Sequence, residues 1–202
     1  VPAVLYCWHG GMEGGNSLAD ILLGDVTPSG HLTDTIAYDI SDYPSSANHG
    51  NHDENRYVED IYVGYRYFET FAKEKVLFPF GFGLSYTKFD YGYSARLDGD
   101  TVRVSATVKN IGSYSGKAVV QIYYGAPQGR LGQPVKQLIG YKKTSLLSPG
   151  ESERLEISFD IKRMASYDDR ESYSFILEEG NYRIYAGDNV RDSLEILNFD
   201  LD

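Results

Sequence analysis

The chain has 202 residues, enough to bury a sizeable core in one large domain or two small ones. Nineteen Lys and Arg against 29 Asp and Glu leave a net charge of −10, which argues against nucleic acid or an anionic membrane surface as a partner, because both demand clustered basic residues. A single cysteine, Cys7, excludes an intrachain disulfide framework and fits a reducing, cytoplasm-like compartment, and no apolar run approaches the ~18 residues of a membrane span.

The chain opens without Met, inside the apolar run VPAVLYCW (1–8), and reads as a piece of something longer. Such a run suits a strand buried on both faces, as in a parallel sheet. The glycine-rich stretch GGMEGGN (10–16) follows. NSLADILLGD then places Leu18, Ile21 and Leu22 on one helical face, with Asn16 or Ser17 as N-cap and Gly24 at the left-handed C-terminal position. Strand, glycine turn and helix make half of an α/β unit. TPSG (27–30) is a turn. Residues 38–60 form a long polar loop without periodicity, IYVGYRYF (61–68) is strand-like, and FPFGFGLSY (78–86) suits a rigid connection at a domain boundary.

From Lys88 onward the period is two. TVRVSATVK aligns Val102, Val104, Ala106 and Val108; RLEISFDI aligns Leu155, Ile157, Phe159 and Ile161; YSFIL aligns Tyr173, Phe175 and Leu177; YRIYA aligns Tyr182, Ile184 and Ala186. AVVQIYY and VKQLIGYKK are further strands. In the last segment the phase slips between Ile196 and Leu197, which predicts a bulge. Turn signals at DGD, SPGE, EEGN and GDN separate the strands. About seven short strands read as an antiparallel β-sandwich of immunoglobulin or fibronectin type, and the missing Cys–Trp–Cys signature disfavours a true immunoglobulin domain. The expected architecture is α+β: a partial α/β-sandwich segment over 1–85, then a fibronectin type III-like sandwich over 86–202. Eighteen Tyr and nine Phe suit half-buried strands and carbohydrate-facing surfaces alike.

Four groups carry candidate chemistry. HGGMEGGN has three readings. Phosphate binding is disfavoured, since neither GxGxxG nor a Walker lysine is present and Glu13 would repel an anion. A tight turn with Glu13 hydrogen-bonded nearby is the plain reading. A sugar site is the third, with Trp8, His9 and Glu13 at the C-terminal end of a strand, where α/β sheets place ligands. His49 and His52, with Asp53 and Glu54, lack a recognised zinc spacing, so a solvated loop is favoured over a metal. Cys7 and His9 are disfavoured as nucleophile and base because the thiol lies in an apolar run. Glu13, Asp53, Glu54, Glu59 and Asp60 supply carboxylates, as glycoside hydrolysis needs, but nothing in their spacing makes two converge. No cofactor is implied.

GGMEGGNSLADILLGDVTPSGHL, EDIYVGYRYFE and LFPFGFGLSYTKFDY resemble the closing portion of the α/β-sandwich domain of family 3 glycoside hydrolases. VKNIGSYSGKAVVQIYY, PVKQLIGYKK and LSPGESERLEISF resemble the fibronectin type III-like domain that follows it. The resemblance covers essentially the whole chain and implies a retaining β-glycosidase, most commonly a β-glucosidase, acting on β-linked sugars. It implies a nucleophilic Asp on a separate (β/α)8 barrel and an acid/base Glu upstream of the first strand here, so neither catalytic role falls on a residue of this sequence. Trp8, His9 and Glu13 become candidates for the rim of the sugar cleft, with the 38–60 loop near the same entrance. The missing partners are then that barrel and the rest of the α/β domain, on either side of the chain because some members invert the order. One departure stands out: Leu32-Thr33-Asp34 replaces the usual Leu-Pro after the PSG turn. A carbohydrate-binding or protein-interaction module is the alternative reading. Residues 1–85, as half of an α/β sandwich, are expected to expose apolar faces, whereas 88–202 is expected to fold alone.

Overall fold

A computed structural model describes residues 3–202. Within it residues 3–8 pair with no described strand, and Val4, Tyr6 and Trp8 are exposed. The expected buried strand over 1–8 is therefore not formed over 3–8, and Val1 and Pro2 lie outside the described residues. A strand exists through its ladder to a neighbour, and an apolar run without one has no backbone partners to hold it. Helix α1 (Gly14–Leu23) follows. Glu13, rather than Asn16 or Ser17, occupies the N-cap, without a side-chain cap bond. The C-terminus matches expectation: Gly24 sits at φ 85, its N–H bonds to the Ile21 carbonyl at 3.1 Å, and the Asp25 N–H bonds to the Asp20 carbonyl at 2.9 Å. Leu18 and Ile21 are half-buried, but Leu22 is 67% exposed, so the expected stripe is only partly covered.

Strand β1 (Ile36–Ala37) precedes the long polar loop, whose first part is two 3-10 turns at Ile40–Asp42 and Pro44–Ala47. The strand expected over 61–68 is instead a turn running into helix α2 (Tyr65–Phe71). Gly64, at φ 57, breaks the extended chain. From there Phe68 and Ala72 recur at i, i+4 and are buried with Ala37 and Val76 in a small core flanked by Tyr43 and Tyr67. Aromatic β-propensity loses to that burial. Strand β2 (Val76–Phe78) pairs antiparallel with β1.

Strands β3 (Phe89–Asp98), β4 (Thr101–Asn110), β5 (Val119–Gly125), β6 (Gln137–Lys143) and β7 (Ser152–Asp160) continue the chain. A short hairpin follows, β8 (Ser166–Asp168) and β9 (Ser174–Ile176), before β10 (Gly180–Gly187) and β11 (Leu194–Leu201). All pairings are antiparallel. Sheet β3-β4-β7 packs on sheet β11-β10-β5-β6, the three-on-four arrangement expected of a fibronectin type III-like sandwich. Val102, Val104, Ala106 and Val108 from one sheet meet Ile122, Tyr182, Ile184 and Ala186 from the other, all essentially inaccessible to solvent. The phase slip in the last strand is a bulge: Ile184 opposes Leu197 and Tyr185 opposes Glu195, leaving Ile196 as the extra residue. The YSFIL segment departs from expectation. It lies in the side hairpin β8–β9 rather than in the sandwich, with Tyr173 and Phe175 exposed and only Leu177 against the core.

One buried asparagine organises the edge of the sandwich nearest the N-terminal part. The Asn110 amide donates to the carbonyls of Tyr114 (2.7 Å) and Leu147 (2.8 Å), and its carbonyl accepts from the Thr87 hydroxyl (2.7 Å) and the Gly112 N–H (3.1 Å). Every polar capacity of the amide is thus satisfied away from water.

Candidate functional site

Of the predicted rim residues, Trp8 has a left-handed backbone (φ 52), a sparsely populated conformation for a bulky residue. Its ring is 66% exposed, 4.8 Å centroid to centroid from that of Tyr6. His9 and Glu13 are also exposed. Glu13 Oε2 accepts a hydrogen bond from the Asn16 amide at 2.6 Å, which ties the glycine turn to the first turn of α1. Close backbone approach explains one of the glycines: a side chain on Gly10 would lie 3.1 Å from the Gly14 Cα. Cys7 is exposed, its Sγ 3.8 Å from the Leu5 carbonyl.

The 48–55 segment is solvated and held by its own polar contacts. Asn48 donates to the Arg56 carbonyl at 2.7 Å, Asn51 accepts from the Asp53 N–H at 3.0 Å, and Glu54 pairs with Arg56 at 2.9 Å. Among the described residues no three His, Cys, Asp or Glu gather as metal ligands.

Two carboxylates are buried, and each is held by an arginine. Asp168 on β8 takes a two-pronged contact from Arg130, at 3.0 and 2.9 Å, and accepts the backbone N–H groups of Arg170, Glu171 and Ser172. The guanidinium, followed by those N–H groups, holds the carboxyl far below the usual carboxylate range. Glu69 on α2 pairs with Arg191 at 2.7 Å. Asp168, so held, is not poised to protonate a leaving group. Two surface concavities are open dishes rather than closed cavities. One, of about 420 Å³, lies on the outer face of the β3-β4-β7 sheet, lined by Arg96, Asp98, Arg103 and Glu156, and another lies beside the C-terminal residues.

The densest polar constellation is the junction between α2, the 78–86 strap and the sandwich. The Tyr65 hydroxyl accepts the Leu138 N–H at 2.8 Å, and the Thr70 hydroxyl accepts the Val135 N–H at 3.2 Å. The Tyr65 ring lies 4.5 Å from Phe80 and meets Tyr123 edge-on at 6.3 Å. Gln121 donates to the carbonyls of Gly81 (3.2 Å) and Asp188 (2.5 Å) and accepts from the Tyr123 hydroxyl. Gly81 sits at φ 81, which glycine adopts freely, and a side chain there would overlap the Gln121 amide, 2.2 Å from its oxygen. Lys136 reaches the Val190 carbonyl (3.0 Å) and the Ser193 hydroxyl (2.8 Å) and lies over the Tyr185 ring; burial pushes its ammonium pKa down, opposed by the nearby Glu69. Sequence reasoning missed Glu69, Gln121, Lys136 and Arg191. Polarity inside the runs YRYFETF and AVVQIYY marked Glu69 and Gln121 singly, whereas Arg191, in GDNVRDS, carries no such mark.

Residues 1–86 match the glycosyl hydrolase family 3 C-terminal domain, and residues 118–190 match a fibronectin type III-like domain. The chain belongs to family 3 of the glycoside hydrolases. A β-glucosidase of Ruminococcus albus is 50% identical over 204 residues, covering 99% of this chain and 22% of that protein. Among solved structures, a β-glucosidase from Paenibacillus barengoltzii superposes with a TM-score of 0.88 at 50% identity, covering 91% of this chain and 21% of that one. β-Glucosidase 3B from Thermotoga neapolitana, solved in complex with glucose, gives 0.86 at 39% identity, covering 96% and 27%. The chain therefore spans about a quarter of the length of these family 3 relatives. The junction described above joins the part matched to the family 3 C-terminal domain to the part matched to the fibronectin type III-like domain.

Proposed function

We propose that this chain is the non-catalytic portion of a retaining β-glycosidase of β-glucosidase type, bracing the domains and shaping the cleft that takes β-linked glucosides or oligosaccharides. The observation that carries the reading is 50% identity to a β-glucosidase over nearly the whole chain, confined to about a fifth of that protein. The arginine pairing of both buried carboxylates, Glu69 and Asp168, is consistent with it. The boundary between the two parts is placed near residue 85, within the aromatic strap. Trp8, His9 and Glu13 stand at the rim of the sugar cleft in the intact enzyme, with the 38–60 loop beside them, and the partner is a (β/α)8 barrel bearing the nucleophile together with the rest of the α/β domain.

The alternative, a sugar-binding sandwich, requires coplanar exposed aromatics. On the side hairpin beside the sandwich, the exposed cross-strand pair Tyr167 and Phe175 is inclined by 66° and so supplies no such surface there. The test is turnover of an aryl β-glucoside by the purified chain, alone and with a family 3 barrel supplied in trans. No hydrolysis by the chain alone is expected, and contaminant-free turnover by it would overturn the reading.

A further inference from the structure

Both feet of the 44–63 loop are tied to α2, and α2 is tied to the sandwich. At the N-terminal foot the Tyr43 hydroxyl accepts the Ala37 N–H (3.1 Å) and donates to the Thr35 carbonyl (2.7 Å), while its ring meets Phe68 of α2 edge-on at 5.2 Å. At the C-terminal foot the Tyr62 ring lies 4.9 Å from Phe71 of α2, and the chain reverses through Asp60 (φ 48) and Gly64 (φ 57) straight into the helix. Between the feet the loop is largely solvent-exposed, with Tyr57 almost fully so. Its feet are therefore held by α2 together with the backbone at Thr35 and Ala37.

On its other side α2 presents Glu69, 3% exposed, to Arg191 of the β10–β11 turn. That turn is rigidly made. The Asn189 side-chain oxygen Oδ1 accepts the N–H groups of Arg191 and Asp192, both at 2.9 Å, the Asn189 side-chain amide donates to Asp188 and Asp192, and Lys136 holds the Val190 carbonyl and the Ser193 hydroxyl. The Arg191 Nε is buried without a partner, so the pair is not the arrangement that stability alone favours; an apolar contact would serve that purpose as well. An ion pair with a buried carboxylate does fix one mutual position of helix and turn.

We propose that Glu69 and Arg191 form a latch through which the sandwich positions the 44–63 loop, making both positioning residues for the loop. The role in catalysis rests on the placement at the cleft entrance of the 38–60 loop, which this segment overlaps, proposed above; the latch itself does not. Hydrogen exchange on the whole chain tests the latch. Arg191→Ala and Glu69→Gln should each speed exchange in α2 and residues 54–63 by about tenfold or more, with β4, β5 and β10 unchanged. Arg103→Ala, which removes an exposed pair with Asp98, should leave that region untouched. Unaltered exchange across α2 and the loop in the latch variants, or acceleration spread evenly through the sandwich, would overturn the proposal. In the intact enzyme the latch variants should raise KM for an aryl β-glucoside several-fold with kcat held. Local exchange changes with KM unmoved would leave the latch standing and remove the loop from the cleft.

Discussion

Asn110→Asp replaces the central amide of the sandwich edge by an isosteric carboxylate. The native amide gives two hydrogen bonds, to the Tyr114 and Leu147 carbonyls, and receives two, from Thr87 and Gly112. An ionised Asp keeps both received bonds but sets a negative oxygen against two carbonyls in a fully buried site. The native state escapes by taking up a proton. From an unfolded pKa near 3.9, holding that proton at pH 7 costs up to about 4 kcal/mol, at about 1.4 kcal/mol per unit. The neutral acid donates to one carbonyl and abandons the other, for about 1 kcal/mol more. The expected loss is therefore about 5 kcal/mol at pH 7 and about 2 kcal/mol at pH 4.5. The sign follows from linkage: the buried acid has a raised pKa, so its penalty shrinks as pH falls. Urea unfolding of wild type and variant at both pH values isolates the difference, since every other titrating group cancels. A loss equal at the two pH values, or below about 1 kcal/mol at pH 7, would refute the reasoning.

Two further outcomes follow from the junction and the core. Gly81→Ala places a methyl group against the Gln121 amide at an unfavourable φ, so loss of about 3 kcal/mol and a melting point lower by roughly 6–12 °C are expected by calorimetry; a shift under 2 °C would mean the strap does not seat as described. Burial pushes the Tyr124 phenol up to about 12 and those of Tyr91, Tyr93 and Tyr123 higher still. Because these folded pKa values exceed the unfolded value of 10, their stabilisation is complete below pH 10 and is lost as pH rises, for Tyr124 by about 3 kcal/mol up to pH 12. Spectroscopic titration of the 18 tyrosines should show a late fraction ionising only with loss of circular dichroism, and one uniform transition near pH 10 in a folded chain would contradict that.

The sandwich was legible because alternation encodes a two-faced sheet directly. Val102 to Val108 on β4 and Tyr182 to Ala186 on β10 point inward as written, and even the slip at Ile196 appears as a bulge. The N-terminal part was less legible because its elements take their form from tertiary context. IYVGYRYF carries strand propensity, yet Gly64 and the pocket around Phe68 make it helical, and VPAVLYCW has strand composition without a described neighbour to pair with. Trp8, His9 and Glu13 lie near one another in sequence and are all exposed, but spacing carries no information about the groups they face. The pairing of Glu69 with Arg191 was invisible for a different reason: the two are 122 positions apart, and no local pattern announces a long-range ion pair.

The irregularity at Ile196 has an outcome beyond the packing of the last strand. β11 is the flank of its sheet, a place where a second chain can zip its amides onto an open row and begin a filament. An extra residue in mid-strand breaks the even spacing of that row, and Glu195 adds negative charge beside the break. An interloper would have to reproduce the same hiccup to continue, so the margin of the molecule discourages polymerisation by geometry and by charge together.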